Sequence, residues 1–243
     1  LGGTTEASAL AAALADRGVA ATLSYAGRVE RPKAQPVPIR IGGFGGVEGL
    51  EHYLRDHGIT NLVDATHPFA AAMSAHAVAA AVRAGVAHIA LTRPGWTPVE
   101  GDRWRHVADI DDAVTALAGP ARRVMLALGR MHVNAFAAQP QHHYLLRFVD
   151  APDSLPILPD HSIVVDRGPF SVEGDIRLMQ DHGIDMIVCK NAGGEGAEAK
   201  LIAARRLELP VVMIDRPVLA SRREVYSVDA VLRWLDHDAN RGV

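Results

Sequence analysis

The chain has little cysteine, few aromatic residues and no excess of positive charge. Cys189 is the single cysteine among 243 residues, which excludes an intrachain disulfide and points to a reducing compartment. Lysine and arginine number 25 against 28 aspartates and glutamates, a formal net charge of −3. A nucleic-acid binder would carry a marked basic excess, so that class is excluded. The longest alanine-rich apolar stretch, residues 70–91, is interrupted by Ser74, His76, Arg83 and His88, which makes it unfit to span a membrane. No basic-then-apolar leader opens the chain, so a cytoplasmic location without membrane contact is expected. The chain begins Leu1-Gly2-Gly3-Thr4 without methionine. A few leading residues are therefore expected to be missing, with Leu1 the last residue of a first strand.

Several chemistries are missing as well. Cys189 has no paired cysteine, and neither His142-His143 nor His52 with His57 has a further ligand at metal-binding spacing. No metal site is expected. There is no nucleophile elbow and no Walker lysine in a glycine loop.

What is present is the composition of an ordinary globular protein, 49% hydrophobic and 22% charged, with aromatics at only 5%. Small apolar side chains suit close packing of helices on sheets. Short apolar runs at 20–25, 39–41, 61–65 and 88–91 read as strands buried on both faces of a parallel sheet. Helical stretches at 6–17, 47–57 and 69–84 lie between them, and Gly18, Gly58 and Gly85 follow those helices where a left-handed cap is needed. A second alternation places strands at 123–128, 144–148, 163–165, 186–190 and 211–214, with helices at 132–138, 172–182 and 196–206. Residues 225–238 close the chain as a strand and helix that the pattern assigns to neither sheet. The expectation is an α/β protein of two Rossmann-like domains with mainly parallel sheets and a ligand cleft between them. The domains would run 1–119 and 120–243.

Ligands of open α/β sheets bind at the carboxyl ends of strands, and five segments of the first domain fall there. Gly2-Gly3-Thr4-Thr5-Glu6 joins a strand to a helix, so that Gly3, Thr4, Thr5 and Glu6 could receive a phosphate on backbone amides. The full Gly-x-Gly-x-x-Gly fingerprint is absent, and a tight turn capped by Thr4 or Thr5 would read the same way. One strand later, where an NAD enzyme carries an acid, the sequence is Ser24-Tyr25-Ala26-Gly27-Arg28. Ser24, Gly27 and Arg28 could hold a 2′-phosphate, and a solvated loop arginine is the plainer alternative. Gly42-Gly43-Phe44-Gly45-Gly46 fits a flexible loop closing on a flat ligand, or a backbone passing close to one, better than a mere connector. Asp64-Ala65-Thr66-His67-Pro68-Phe69 follows a buried strand and offers Thr66 to a coenzyme and His67 as a proton relay. Arg93 ends the next strand.

In the second domain the residues at strand ends, or on the first turn after them, are mostly basic. Arg130, Arg147, Arg167, Lys190, Lys200 and Arg216 recur there, with Asn191 beside Lys190. A surface cation is ordinarily just solvated. Repetition at the ligand edge instead suggests a local positive cleft aimed at a polyanion.

Taken in order, Gly-Gly-Thr-x-Glu at 2–6, Ser-x-Ala-Gly-Arg at 24–28, Gly-Gly-Phe-Gly-Gly at 42–46, Asp-Ala-Thr-His-Pro-Phe at 64–69, Arg-Gly-Pro-Phe at 167–170 and Lys-Asn-x-Gly-Gly at 190–194 resemble the precorrin-6A reductase family of cobalamin biosynthesis. The likeness runs from the first residue to Arg216-Pro217. It implies an oxidoreductase that reduces one double bond of the macrocycle, precorrin-6A to precorrin-6B, with NADPH as hydride donor. It also implies hand-over of the product to the next enzyme of the pathway. A related branch acts on the cobalt-containing analogue, and the sequence does not separate the two.

On this reading NADPH belongs to the first domain. The tetrapyrrole, a ring with several carboxylates, falls mainly to the second, against Phe44, Arg93, Arg130, Arg147, Arg167, Lys190, Asn191, Lys200 and Arg216. His67 is the side-chain candidate for the proton. The reverse arrangement would use Lys190-Asn191 and Gly193-Gly194 for the coenzyme phosphates. Two other classes compete: a non-catalytic NADP-sensing Rossmann-like protein, and a tetrapyrrole enzyme that uses no nicotinamide, as in uroporphyrinogen synthases.

Overall fold

The computed structural model describes residues 1–27, 34–152, 154–166, 168 and 170–239. Arg28 and Arg167, two of the expected ligand contacts, lie outside the described residues.

The chain forms two compact units, Leu1–Pro94 with Val218–Val243, and Gly95–Pro217. Chain order in the first unit is α1 (Thr5–Asp16), β1 (Leu23–Tyr25), β2 (Ile39–Ile41), α2 (Gly46–Asp56), β3 (Asn61–Asp64), α3 (Ala71–Ala84) and β4 (Ala87–Leu91). The second unit holds β5 (Arg103–Val107), α4 (Ile110–Ala116), β6 (Arg123–Ala127), α5 (Arg130–Val133), β7 (His143–Phe148), β8 (His161–Val165), α6 (Val172–Asp181), β9 (Met186–Lys190), α7 (Ala199–Arg206) and β10 (Pro210–Ile214). The chain then returns to the first unit with β11 (Glu224–Val225) and α8 (Val228–Ala239).

In the first unit β1 pairs with β2, while β3, β4 and β11 form a second parallel ladder. Residues 1–2 join the two. The Leu1 amino nitrogen donates to the Val63 carbonyl at 2.8 Å, Ala65 N–H donates to the Leu1 carbonyl at 3.0 Å, and Gly2 N–H donates to the Ser24 carbonyl at 2.9 Å. The resulting order is β2, β1, residues 1–2, β3, β4, β11. Numbered along the chain, that is the 3-2-1-4-5-6 winding of dinucleotide-binding sheets. Ala7, Leu10, Ala11 and Leu14 recur at helical spacing on α1. They pack on Leu23, Ile89 and Leu91 and against Val231, Leu232 and Trp234 of α8.

The second sheet is wholly parallel, in the order β5, β10, β9, β6, β7, β8. Without β5 this is 3-2-1-4-5, so both units wind alike. Each therefore has a switch point where strand order reverses, at residues 1–2 beside β3 and at β6 beside β9.

The expected domain cut near residue 119 is corrected to the 94/95 junction. β5 pairs along its whole length with β10, which carries residues 95–119 into the second unit. The segment was missed because Arg-Trp-Arg-His-Val is a charged strand at the sheet edge, without the apolar run of a central strand. The helix expected at 132–138 is a single turn, α5, followed by a 3₁₀ segment over Asn134–Ala138. Gly18, Gly58 and Gly85 do take left-handed φ angles of 66°, 58° and 69°.

Candidate active site

In the first unit the carboxyl edge is built around the turn at residues 2–4. A Cβ on Gly2 would lie 2.6 Å from Leu23 Cδ1, so a larger residue in this turn would have to displace the buried Leu23 side chain. Gly3 has φ 120°, and the space a side chain would take there is open. Thr4 caps α1: its hydroxyl accepts from Ala7 N–H at 3.1 Å and donates to the Ala65 carbonyl at 2.8 Å. The Thr4 side chain thus closes the switch point, leaving backbone amides to face a ligand. Glu6 and Arg93, expected to contact two different ligands, instead bind each other at 2.7 Å. Burial pushes the Glu6 carboxyl up, but its own backbone N–H, Arg93 and Thr4 outweigh this and hold it below the usual range.

The glycine loop after β2 is held by Arg40. The guanidinium donates from Nη1 to the Gly42 carbonyl at 2.5 Å and to Ser24 Oγ at 3.3 Å, and from Nη2 to the Gly43 carbonyl at 2.8 Å. Its carbon stands 3.7 Å from the Phe44 ring centre, and Phe44 meets Tyr53 of α2 edge-on at 5.2 Å. Gly42 N–H donates to the Tyr25 carbonyl at 2.9 Å, and Gly27 has φ 78°. Phe44, assigned from sequence to the substrate, stands with Ser24 in one cluster.

Asp64 organises the next turn. One of its carboxylate oxygens accepts from Thr66 N–H at 3.1 Å and Thr66 Oγ1 at 2.7 Å, the other from Ser74 Oγ at 2.6 Å and Arg222 Nη1 at 2.6 Å. Burial raises the Asp64 carboxyl, yet Ser74, Thr66 and the Arg222 charge together hold it below the ordinary carboxylate range. Thr66, expected at the coenzyme, spends its hydroxyl proton on this carboxylate. His67 is exposed, and its Nδ1 accepts from Phe69 N–H at 3.2 Å. The neutral ring must therefore carry its proton on Nε2.

In the second unit several expected ligand contacts are occupied by the protein itself. Asn191 Oδ1 accepts from Trp96 N–H at 2.7 Å and its Nδ2 donates to the Trp96 carbonyl at 3.0 Å, as a strand would. Arg216 donates to the carbonyls of Asn191 at 2.9 Å and Ala192 at 3.0 Å. Arg147 forms a buried ion pair with Asp175, and its guanidinium lies 3.7 Å over the Phe170 ring. Lys200 is buried, donates to the Ala197 carbonyl and sits 4.7 Å from the Trp96 ring centre. Burial lowers its ammonium pKa, and pushes the nearby Cys189 thiol up to about 11. These contacts hold the four side chains in place within the second unit. Arg130, exposed after β6, and Lys190, ending β9, flank the switch point.

A cavity of about 900 Å³ also lies in the first unit, lined by Leu10, Leu14, Thr22, Ile59 and Leu62 among others. Its lining includes segments 18–22 and 57–60, which lead into β1 and β3, and also Ser24 and Phe44.

The profile of the family described as Precorrin-6x reductase CbiJ/CobK matches residues 1–236. The chain belongs to that family.

Among individual precorrin-6x reductases, the chain is similar to the precorrin-6A reductase of Rhodobacter capsulatus, 56% identical over 100% of this chain and 98% of that protein. It is 47% identical to the precorrin-6A reductase of a Sinorhizobium species, over 98% and 91% of the two chains. The cobalt-precorrin-6A reductase of Priestia megaterium is 27% identical over 89% of each. A solved structure titled CobK precorrin-6A reductase superposes with a TM-score of 0.93 at 55% identity, covering 98% of this chain and 94% of that one. The family assignment makes the chain an oxidoreductase of cobalamin biosynthesis, a reductase working with a nicotinamide coenzyme on a tetrapyrrole. Among the described residues no helix is long and apolar enough to cross a membrane.

Sequence reasoning missed Arg40, Trp96 and Arg222. Arg40 sits between two isoleucines and reads as an ordinary strand residue, and the partner of Arg222 is 158 positions away. A lone arginine in a strand beside a glycine loop was the one usable signal.

Proposed function

We propose that the chain reduces precorrin-6A to precorrin-6B with NADPH, the first unit holding the coenzyme and the second the tetrapyrrole. The observation that carries the coenzyme half is the 3-2-1-4-5-6 sheet with a glycine turn at its switch point. Open space at Gly3 and the start of α1 fit a pyrophosphate on backbone amides. No acid stands at Ser24-Tyr25-Ala26-Gly27, which supports a 2′-phosphorylated coenzyme over NADH. The cobalt-free substrate is favoured because relatives 42–56% identical are named precorrin-6A reductase, whereas those named for cobalt-precorrin-6A are 26–27% identical.

NADPH supplies the hydride. The protein's share is to orient both ligands and provide a proton for the other end of the reduced double bond. His67 serves as donor in its imidazolium form, in which Nδ1 carries a proton and gives up the Phe69 N–H contact, and it returns to the neutral ring once the proton has been transferred. Arg130 and Lys190 bind substrate carboxylates at the second switch point, with Arg167 the further candidate.

Assaying the purified protein anaerobically with precorrin-6A and each coenzyme tests this. NADPH should give the higher kcat/KM and a product two hydrogens heavier. Equal kcat/KM for NADH would overturn the coenzyme assignment, and no turnover with either would overturn the reductase reading. Arg130→Ala should weaken tetrapyrrole binding by about 1.5–3 kcal/mol, the worth of a charge-assisted hydrogen bond. Substrate affinity should also fall with salt, since exposed charges are screened within about 10 Å at 0.1 M. Loss of coenzyme binding instead would mean that the two units hold the opposite ligands.

A further inference from the structure

Arg40 is a half-buried cation with no carboxylate within ion-pair distance among the described residues. Its partners are two carbonyls, one hydroxyl, the face of Phe44 and, at 5.2 Å, the ring of Tyr53. These use both Nη1 protons and one on Nη2. The Nε proton and the second Nη2 proton have no protein acceptor among the described residues. Withdrawing a charge from water without a counter-ion is unfavourable. The loop carbonyls and the ring offset part of that, and an anion would offset the rest. The fork is also rigid: two bonds to the loop and a stacked ring fix its plane, so little side-chain freedom remains to be lost on binding.

Its position gives the anion an identity. β1 and β2 are paired with Ser24 opposite Arg40, and the guanidinium reaches from there to the loop at the carboxyl end of β2. With residues 1–2 as the first strand of the winding, β1 is the second. The end of that strand is where dinucleotide-binding sheets read the 2′ position of the adenosine ribose, an acid for a hydroxyl or an arginine for a phosphate. Here a serine hydroxyl and a guanidinium in mutual contact stand at that end. Planar two-donor recognition is what a phosphate monoester accepts best.

We propose that Arg40, oriented by Phe44 and seconded by Ser24, is the residue that selects a 2′-phosphorylated adenine dinucleotide. This rests on the first unit being the coenzyme unit. It places Phe44 at the coenzyme rather than the tetrapyrrole, and explains a glycine loop that is held in place: its carbonyls are needed as acceptors for Arg40.

The test uses the full chain and calorimetric binding of two fragments, adenosine 2′,5′-bisphosphate and AMP, besides kcat/KM for NADPH and NADH. The unmutated protein should prefer the bisphosphate. Arg40→Gln should cut that preference, and the NADPH/NADH ratio of kcat/KM, by about 10- to 100-fold, the equivalent of one charge-assisted contact. Because Arg40 also pins the loop, Ser24→Asp provides a second arm. An aspartate there pairs with Arg40, keeps the loop held and repels a phosphate, so it should turn the preference toward AMP and NADH. Retention of the full bisphosphate preference by both variants would overturn the Arg40 assignment while leaving the coenzyme unit intact. Absence of any preference in the unmutated protein would overturn the underlying coenzyme reading instead.

Discussion

Replacing Arg222 with methionine is expected to lower folding stability by about 3–5 kcal/mol, the usual consequence of stranding one partner of a buried ion pair. The Arg222 side chain is 6% exposed and that of Asp64 1%, with 2.6 Å between nitrogen and oxygen. Arg222 also reaches Glu224 at 3.0 Å, so its loss frees the entry to β11 as well. Total stabilities of ordinary domains are only about 5–15 kcal/mol, so the variant should melt far below its parent. The pH dependence carries a signature too. Asp64 titrates below its ordinary range when folded, so its contribution is present above about pH 4 and is lost as pH falls through the folded value. Without Arg222 the depression shrinks, and the acid limb of stability should flatten. Urea unfolding between pH 3 and pH 8 would check both effects (the range being roughly that over which a carboxylate titrates). A variant as stable as its parent, with the same acid limb, would mean that the pair is not formed in solution.

Gly49→Ala should be nearly as disruptive, although the residue lies in α2 where alanine ordinarily helps by about 1 kcal/mol. A Cβ at this position would stand 1.6 Å from the Phe44 carbonyl oxygen, which would have to retreat beyond 3.0 Å. That oxygen is backbone and cannot swing aside alone. Moving it drags Phe44 off Arg40 and off Tyr53, whose rings and charge hold the loop. Overpacking of this kind typically lowers stability by about 1–3 kcal/mol, and the backbone contact puts this case at the upper end. The larger effect should be on coenzyme affinity, measured at a temperature where far-UV circular dichroism is unchanged. Unaltered NADPH binding in a folded Gly49→Ala protein would detach the glycine loop from the coenzyme site.

The fold was legible where local chemistry states it. Apolar runs flanked by helices that end on Gly18, Gly58 and Gly85 gave the first alternation, because a left-handed cap is a backbone requirement visible in one residue. It was illegible where pairing is remote. A closing strand could be read from residue 225, but not its sheet, because β11 is placed only by pairing with β4, far away in sequence. The site divides the same way. Placement at the carboxyl edge could be read, since strand ends are local. Partnership could not: Asn191 looks the same in sequence whether it faces a ligand or clasps Trp96, and Arg147 gives no sign that Asp175 has claimed it. Residue type announces what a side chain can bind, and tertiary geometry decides what is already bound.

The return of residues 218–239 to the first unit also sets an order of events during synthesis. A chain made from its amino end usually folds its first domain first. Here the leading segment emerges early but lacks its edge strand and the helix that covers α1 through Val231, Leu232 and Trp234. The second unit is one uninterrupted stretch and can close as soon as β10 has left the ribosome. The earlier-made half must wait, with Leu10 and Leu14 short of their cover, until residues 218–239 have emerged. Ribosome stalling or proteolysis just before Val218 would therefore release a product whose second unit is complete and whose first unit is not, and chaperone demand should concentrate on that interval.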